Sequence, residues 1–366
     1  MDQSSTALDE RIRRYIARTN PTECGFERLA LDIFAYQYER NDPYRRLCDR
    51  SGRNPATVRR WRDVPAIPSA SFADVRLACF PPQDAVLAFS SSGTTSGKDT
   101  PSRHELDTRA LYDASLLSHF QTRVLPDAAS MSILSLVPKH TATPHSSLAY
   151  MVTKIAAVFG TGEDGFFMTP SGLDFDGLVG ALRRCREPVV LFGTALALVE
   201  VVDRCVKMQM TFRLPIGSRI VETGGFKGVT RQLSAAKLYD DFSRIFGVPR
   251  VLCLSEYGMC ELASQWYDAN LADYFAGRTP RVGIKVGPHW ARVLVVDPRS
   301  AQPLPSGSSG LLQYLDLANR GSVAAVLTAD VGREEDGGIV LEGRWAGAAP
   351  KGCSISTDLA LRGADG

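Results

Sequence analysis

Eleven consecutive residues, Phe89-Ser90-Ser91-Ser92-Gly93-Thr94-Thr95-Ser96-Gly97-Lys98-Asp99, collect hydroxyls, glycines and a lysine directly after the apolar segment Ala85-Val86-Leu87-Ala88. Glycines let a backbone turn tightly and bring its N–H groups close to an anion. Successive N–H groups in such a turn form a concavity that suits phosphate oxygens. The hydroxyls add donors and Lys98 adds a point charge, so the string points to a nucleoside triphosphate. It is not a P-loop. Three residues instead of four separate Gly93 from Gly97, and Asp99 stands where magnesium would need Ser or Thr. A plain polar turn is the competing reading of the string taken alone.

Other candidate chemistry is thinner. The eight cysteines are irregularly spaced and none forms a C-x-x-C pair, so free thiols filling core space are expected, not disulfides or zinc ligands. His140 and His145 are the closest histidines, but Pro144 intervenes and a polar loop is the better reading. The 366 residues are 44% hydrophobic and 22% charged with a net charge of +2, which gives no reason to expect nucleic acid or a membrane surface as partner. No apolar run is long enough for a membrane span, and the N-terminus lacks a signal-peptide pattern, so a cytoplasmic protein is expected.

The elements that must position these residues read as alternating strands and helices. Amphipathic helices are expected over residues 8–18 and 26–40, then a basic, Pro-punctuated loop over 45–68 and a helix over 106–120. Strands are expected at 132–137, 189–193, 218–222 and 251–254, with helices at 147–159, from 194 to 207 and at 237–246. Such alternation predicts an α/β fold with a mostly parallel sheet, whose ligands bind beyond the carboxyl ends of the strands. Short strands at 292–296, 310–315, 323–328 and 338–341 predict a small β-rich subdomain.

Four pieces then occur in order: Ser90 to Lys98; Val221-Glu222-Thr223-Gly224-Gly225; Glu256-Tyr257-Gly258-Met259-Cys260-Glu261; and Thr328-Ala329-Asp330-Val331-Gly332, followed by Gly343-Arg344. This order resembles the adenylate-forming superfamily, which activates carboxylates with ATP. Within it the chain is most similar to the acyl-protein synthetase (luciferin-component ligase) branch, near the phenylacetate–CoA ligases. The resemblance implies that Ser91, Ser92, Gly93, Thr94 and Thr95 cradle phosphates, that Glu261 holds Mg2+, and that Tyr257 stacks on adenine. It implies that Gly224 and Gly225 flank that base, within a pocket that also includes Glu256, Gly258, Met259 and Cys260, and that Asp330 takes the ribose hydroxyls near Arg344. It further implies that Cys353 accepts the acyl group.

Two departures qualify the resemblance. Cys260 replaces a usual Thr, and Ala329 a usual Gly. The expected architecture is an adenylating core over 1–342, with its β-rich subdomain at about 285–342. A short segment, 343–366, takes the place of the full C-terminal lid domain. The catalytic lysine of that lid then needs a substitute, for which Lys227 is the candidate. The expected activity is ATP- and Mg2+-dependent conversion of a carboxylic acid, fatty by resemblance, to acyl-AMP, with transfer through Cys353 or directly to an acceptor protein. A ligase acylating CoA, a carrier protein or an amine without the cysteine step is one alternative. An inactive nucleotide- or acyl-binding subunit is the other.

Overall fold

The computed structural model describes residues 3–91, 101–224 and 235–345. Its chain forms two compact units. One comprises the chain up to His119, Met259–Trp266 and the described residues from Lys285 on; the other comprises Phe120–Gly258 and Tyr267–Ile284.

The second unit is the parallel α/β layer. Its strands run in the order Gly165–Phe166, Ser132–Leu136, Val189–Thr194, Arg219–Thr223 and Cys253–Tyr257, each parallel to its neighbour. Every residue of Ser132–Leu136, Val189–Thr194 and Arg219–Thr223 is buried. That is the pattern of strands covered on both faces, and it explains the apolar run of Val189–Thr194. The helices Ser147–Phe159, Ala195–Lys207 and Ala235–Phe246 follow successive strands. Thr194 ends its strand and caps the next helix, its hydroxyl accepting from the Ala197 N–H at 3.1 Å.

The first unit is antiparallel. Ala291–Val296, Gly310–Asp316, Ala325–Glu335, Gly338–Arg344 and Lys285–Val286 pair in that order, and Ile67–Pro68 adds in parallel beside Val326 and Leu327. Its N-terminal helices Gln3–Ile16 and Glu23–Arg40 are fastened by buried polar groups. The Gln37 amide donates to the carbonyls of Asn319 and Arg320 and accepts from the Ala324 N–H. Arg320, fully buried, is forked onto Asp9 and bonded to Asp107.

Several expected elements differ. Residues 106–120 are not one helix: Arg103–Leu106 is a strand and the helix is Ala110–Val124. Residues 45–68 are not all loop, because Asn41 caps a helix, Asp42–Arg50, that has Pro in its first turn. The strand expected at 323–328 runs on from Ala325 to Glu335, through Asp330, because Asp336-Gly337 closes a hairpin to Gly338–Arg344. Both turn residues have positive φ, 47° and 72°, as the tight hairpin turn requires.

Candidate active site

In the parallel layer, register places Thr194, Thr223 and Glu256 side by side on three adjacent strands at their carboxyl ends. The Thr223 hydroxyl donates to Glu256 Oε2. Glu256 is only 4% exposed. Gly224 follows with φ of 86°, so the chain leaves the sheet through a conformation an L side chain resists. Tyr257 closes its strand half-buried, and Gly258 is exposed. Glu256 and Tyr257 are thus the last strand residues and not part of a loop, which fixes their direction by the pleat.

The first unit carries the other expected residues. Ser91 ends the described part of the Ser-rich string, whose flanks Leu87–Ser90 and Arg103–Leu106 form an antiparallel hairpin. Beyond the last pair the base is clamped twice: the Ser91 N–H donates to Ser102 O at 3.0 Å, and the Ser102 N–H donates to Ser91 Oγ at 2.8 Å. Ser91, the last described residue of the string, is therefore tied to Ser102 at the end of the paired strands. Ser92, Gly93, Thr94, Thr95, Gly225, Lys227 and Cys353 lie outside the described residues.

Met259 is half-buried, whereas Cys260 and Glu261 are buried, and their backbone is held from two directions. His104, on the hairpin strand, places Nδ1 2.8 Å from the Cys260 carbonyl. A carbonyl only accepts, so Nδ1 carries the proton. Burial pushes the His104 pKa down to about 4, against the milder opposing pull of its hydrogen bond to Cys260 and of the nearby Asn319 amide. The ring is neutral at physiological pH. Asn319 Nδ2 in turn donates to the carbonyls of Glu261 and Val323. Asp316 then accepts from the Ala263 N–H, the Ser264 hydroxyl and the Ala318 N–H at 2.8–3.0 Å. Burial, only partly offset by these bonds, raises the Asp316 pKa to about 6. Ser264 also meets Ser115 at 2.8 Å, and the Trp290 indole donates to both hydroxyls.

Asp330 and Arg344 are cross-strand partners on the Asp336-Gly337 hairpin, their ion pair 3.5 Å long. The Asp330 N–H donates to Thr328 Oγ1, which itself donates to Leu312 O. Gly343, at φ of 137°, lies beside a register shift and re-aims the strand just before Arg344. His140 and His145 sit on the loop after Ser132–Leu136. The His140 N–H donates to Thr153 and its ring meets Tyr150 edge-on, while His145 is exposed.

His104, Asn319 and Asp316 were not legible as site residues, since no motif contains them. The one available signal was buried-type spacing around polar residues in His104-Glu105-Leu106 and Asp316-Leu317-Ala318-Asn319. The Asp336-Gly337 dipeptide would have shown that Asp330 and Arg344 share a hairpin.

Comparison with known proteins gives the family and the fold. The family model described as acyl-protein synthetase, LuxE, matches residues 18–361. The chain is 24% identical over 351 residues to a long-chain-fatty-acid–luciferin-component ligase of Vibrio harveyi, covering 91% of this chain and 87% of that one. Among solved structures it resembles an open 2-hydroxyisobutyryl-CoA ligase in complex with 2-HIB-AMP and CoA. That likeness has a TM-score of 0.64 and 13% identity, over 91% of this chain and 77% of the other. It also resembles ATP-bound MatB from Rhodopseudomonas palustris, with a TM-score of 0.50 and 16% identity over 72% of this chain and 49% of that one. The chain therefore belongs to the LuxE acyl-protein synthetase family and has the fold of the adenylate-forming ligases.

Proposed function

We propose that the protein activates a long-chain fatty acid with ATP and passes the acyl group through Cys353 to an acceptor protein in the cytoplasm. A carboxylate oxygen attacks the α-phosphorus and pyrophosphate leaves. The Cys353 thiolate then attacks the acyl carbonyl and AMP leaves. The observation that carries the reading is the Thr223–Glu256 pair with Gly224, at the carboxyl ends of adjacent parallel strands. Sheets of this kind bind ligands there. The luciferin-component ligase likeness supports the fatty acid, and the ATP-bound neighbour supports the nucleotide.

Mg2+ suits the donors in place. It takes one or two carboxylates and completes its shell with water and phosphate oxygens, so one well-held Glu261 is a sufficient protein ligand. The metal would screen charge on the triphosphate during attack. Glu261 fits because its own backbone is anchored by Asn319.

Thiol chemistry narrows the acyl acceptor. Burial raises the pKa of Cys48 and Cys79 to about 12 and of Cys205 to about 11, and it pushes Cys253 up as well. Such thiols are poor nucleophiles. Cys24 is exposed and is the natural control. With a radiolabelled fatty acid, ATP and Mg2+, the protein is expected to retain hydroxylamine-sensitive label. Cys353→Ser is expected to lose the label yet keep pyrophosphate–ATP exchange, with Cys24→Ser unchanged. Label retained by Cys353→Ser would sink the relay. Absence of exchange across a panel of fatty, aryl and amino acids would sink the adenylation.

A further inference from the structure

At the other end of the parallel layer, charges do not balance. Arg219 begins the strand whose last residue is Thr223, and its guanidinium pairs with Asp127 at 2.9 Å while lying over the Phe275 ring. Beyond it, the short helix Asn270–Phe275 and the loop after it bring Asp273, Arg278 and Arg281 together, next to Arg123 in the last turn of Ala110–Val124.

Asp273 is the one carboxylate of this group. Its Oδ1 accepts from Arg278 Nε and Nη2 and from Arg281 Nη2, and its Oδ2 accepts from Arg281 Nε and from the Arg281 backbone N–H, at 2.8–3.3 Å. A carboxylate offers about four lone-pair sites, so Asp273 has none left. Burial alone would raise its pKa, but the two guanidiniums hold it down at about 2.

Arg123 gets no share of that carboxylate. It is half-buried, its Nε is shut off from solvent, and that Nε has no hydrogen-bond partner among the described residues. Burial first, then the charge of Arg281, lowers its pKa to about 10. A guanidinium held among like charges and partly out of water is destabilising unless an anion completes it. A buried polar atom without a partner in an otherwise satisfied region is where an unseen ion is to be sought.

The geometry points to an oxyanion site of the phosphate class, framed by Arg123, Arg278 and Arg281 at the amino end of the parallel strands. Guanidiniums suit such a ligand because their N–H groups make charge-assisted bonds to its oxygens, and the Nε of Arg123 is a donor that Asp273 does not take up. The site is separate from the Thr223–Glu256 end of the same layer: the five residues of Arg219–Thr223 span roughly 13–17 Å. Binding there would act on the stability of the layer and would not require adenylation.

The test is a titration of the full chain with inorganic phosphate, followed by thermal unfolding at ionic strength held constant with chloride. Wild type is expected to rise in Tm with phosphate. Arg123→Met is expected to lose that rise while being at least as stable as wild type without phosphate, since it removes an unpaired charge. Arg278→Gln changes a side chain 60% exposed and leaves Asp273 its pairing with Arg281. It should weaken phosphate about tenfold, the usual scale for one charge-assisted contact, and leave pyrophosphate–ATP exchange unchanged. Glycerol 3-phosphate run in parallel separates a free oxyanion from a phosphate monoester carried on a larger molecule. No rise beyond the chloride control overturns the site. An equal rise in wild type and Arg278→Gln overturns it too, because the phosphate then binds elsewhere.

Discussion

Two segments of this protein carry expected nucleotide and metal contacts, and they are held in opposite ways. Thr223 and Glu256 are held by regular structure: both end central parallel strands, register sets them side by side, and one hydroxyl–carboxylate bond ties them. Cys260 to Ser264 lies outside helices and strands. It is pinned by His104 from one strand and by Asp316 and Asn319 from a single turn elsewhere in the first unit. A strand end needs little local support because the ladder positions it. An irregular segment with a buried backbone must find a partner for every polar group, so its geometry depends on dispersed side chains. Damage at the strand ends should therefore show in ligand binding, and damage around the pinned segment should show in stability as well.

The largest effect is expected at the tip of the pinned segment. Glu261→Gln keeps the shape of the side chain and removes its charge. Pyrophosphate–ATP exchange at saturating ATP should fall about 10²–10³-fold, in line with the several kcal/mol a positioned metal ion supplies. Folding stability should change by less than about 1 kcal/mol. Exchange within about threefold of wild type would remove Glu261 from the metal site.

His104→Ala tests the support itself. It leaves the Cys260 carbonyl without its buried donor and opens a ring-sized space beside Phe72, 5.9 Å away. The expected loss is about 3 kcal/mol in urea denaturation. The apparent requirement for Mg2+ should rise as well, because the same histidine joins the strand Arg103–Leu106 to the backbone next to Glu261. A destabilised variant with an unaltered Mg2+ requirement would make His104 a packing residue only.

The contrast also explains what the sequence could reveal. Strand ends follow from local pattern: the strands expected at 189–193 and 218–222 locate Thr223 without any knowledge of partners. Pinning residues do not, because His104 is 156 positions from Cys260 and Asn319 is 58 from Glu261. Nothing local in His104-Glu105-Leu106 says which carbonyl the ring will meet. The helix expected over residues 106–120 failed for a related reason. Leu106 takes part in cross-strand pairing with Leu87, a contact that helical spacing does not reveal. The Asp330–Arg344 pair fell between these cases, since its hairpin turn is written in the chain but its register shift is not.

Acid sharpens the same comparison. Unfolding lets His104 bind a proton anywhere between its folded value of about 4 and its ordinary 6.5, so its contribution is lost as pH falls through that window. Asp316 works in reverse. With a folded value of about 6 against an ordinary 3.8, it keeps a proton that unfolding would release, so stability falls as pH rises from 3.8 to 6. Each shift corresponds to roughly 3 kcal/mol at most, and the two nearly cancel between pH 4 and 6. Asp316→Asn removes one side of the balance. Its stability relative to wild type should fall by about 2 kcal/mol as the pH drops from 6.5 to 4.5. Parallel urea-denaturation curves for variant and wild type across this range would show that the two groups are not opposed.

Thr223→Val is the mildest change and the one that isolates the strand-end mode. The ladder continues to hold both strands, the side chain keeps its size, and only the hydroxyl donated to Glu256 is lost. Valine also favours a buried strand, which offsets part of the lost bond. Stability should drop by about 1 kcal/mol or less. KM for ATP should rise about threefold to tenfold, as expected when one group of a positioned pair turns away, with kcat nearly unchanged. Thr223→Ser, which restores the donor, should return KM to the wild-type range. If Thr223→Val instead destabilised the protein as much as His104→Ala, the strand end would depend on its side-chain bond, and the distinction between the two modes of support would fail.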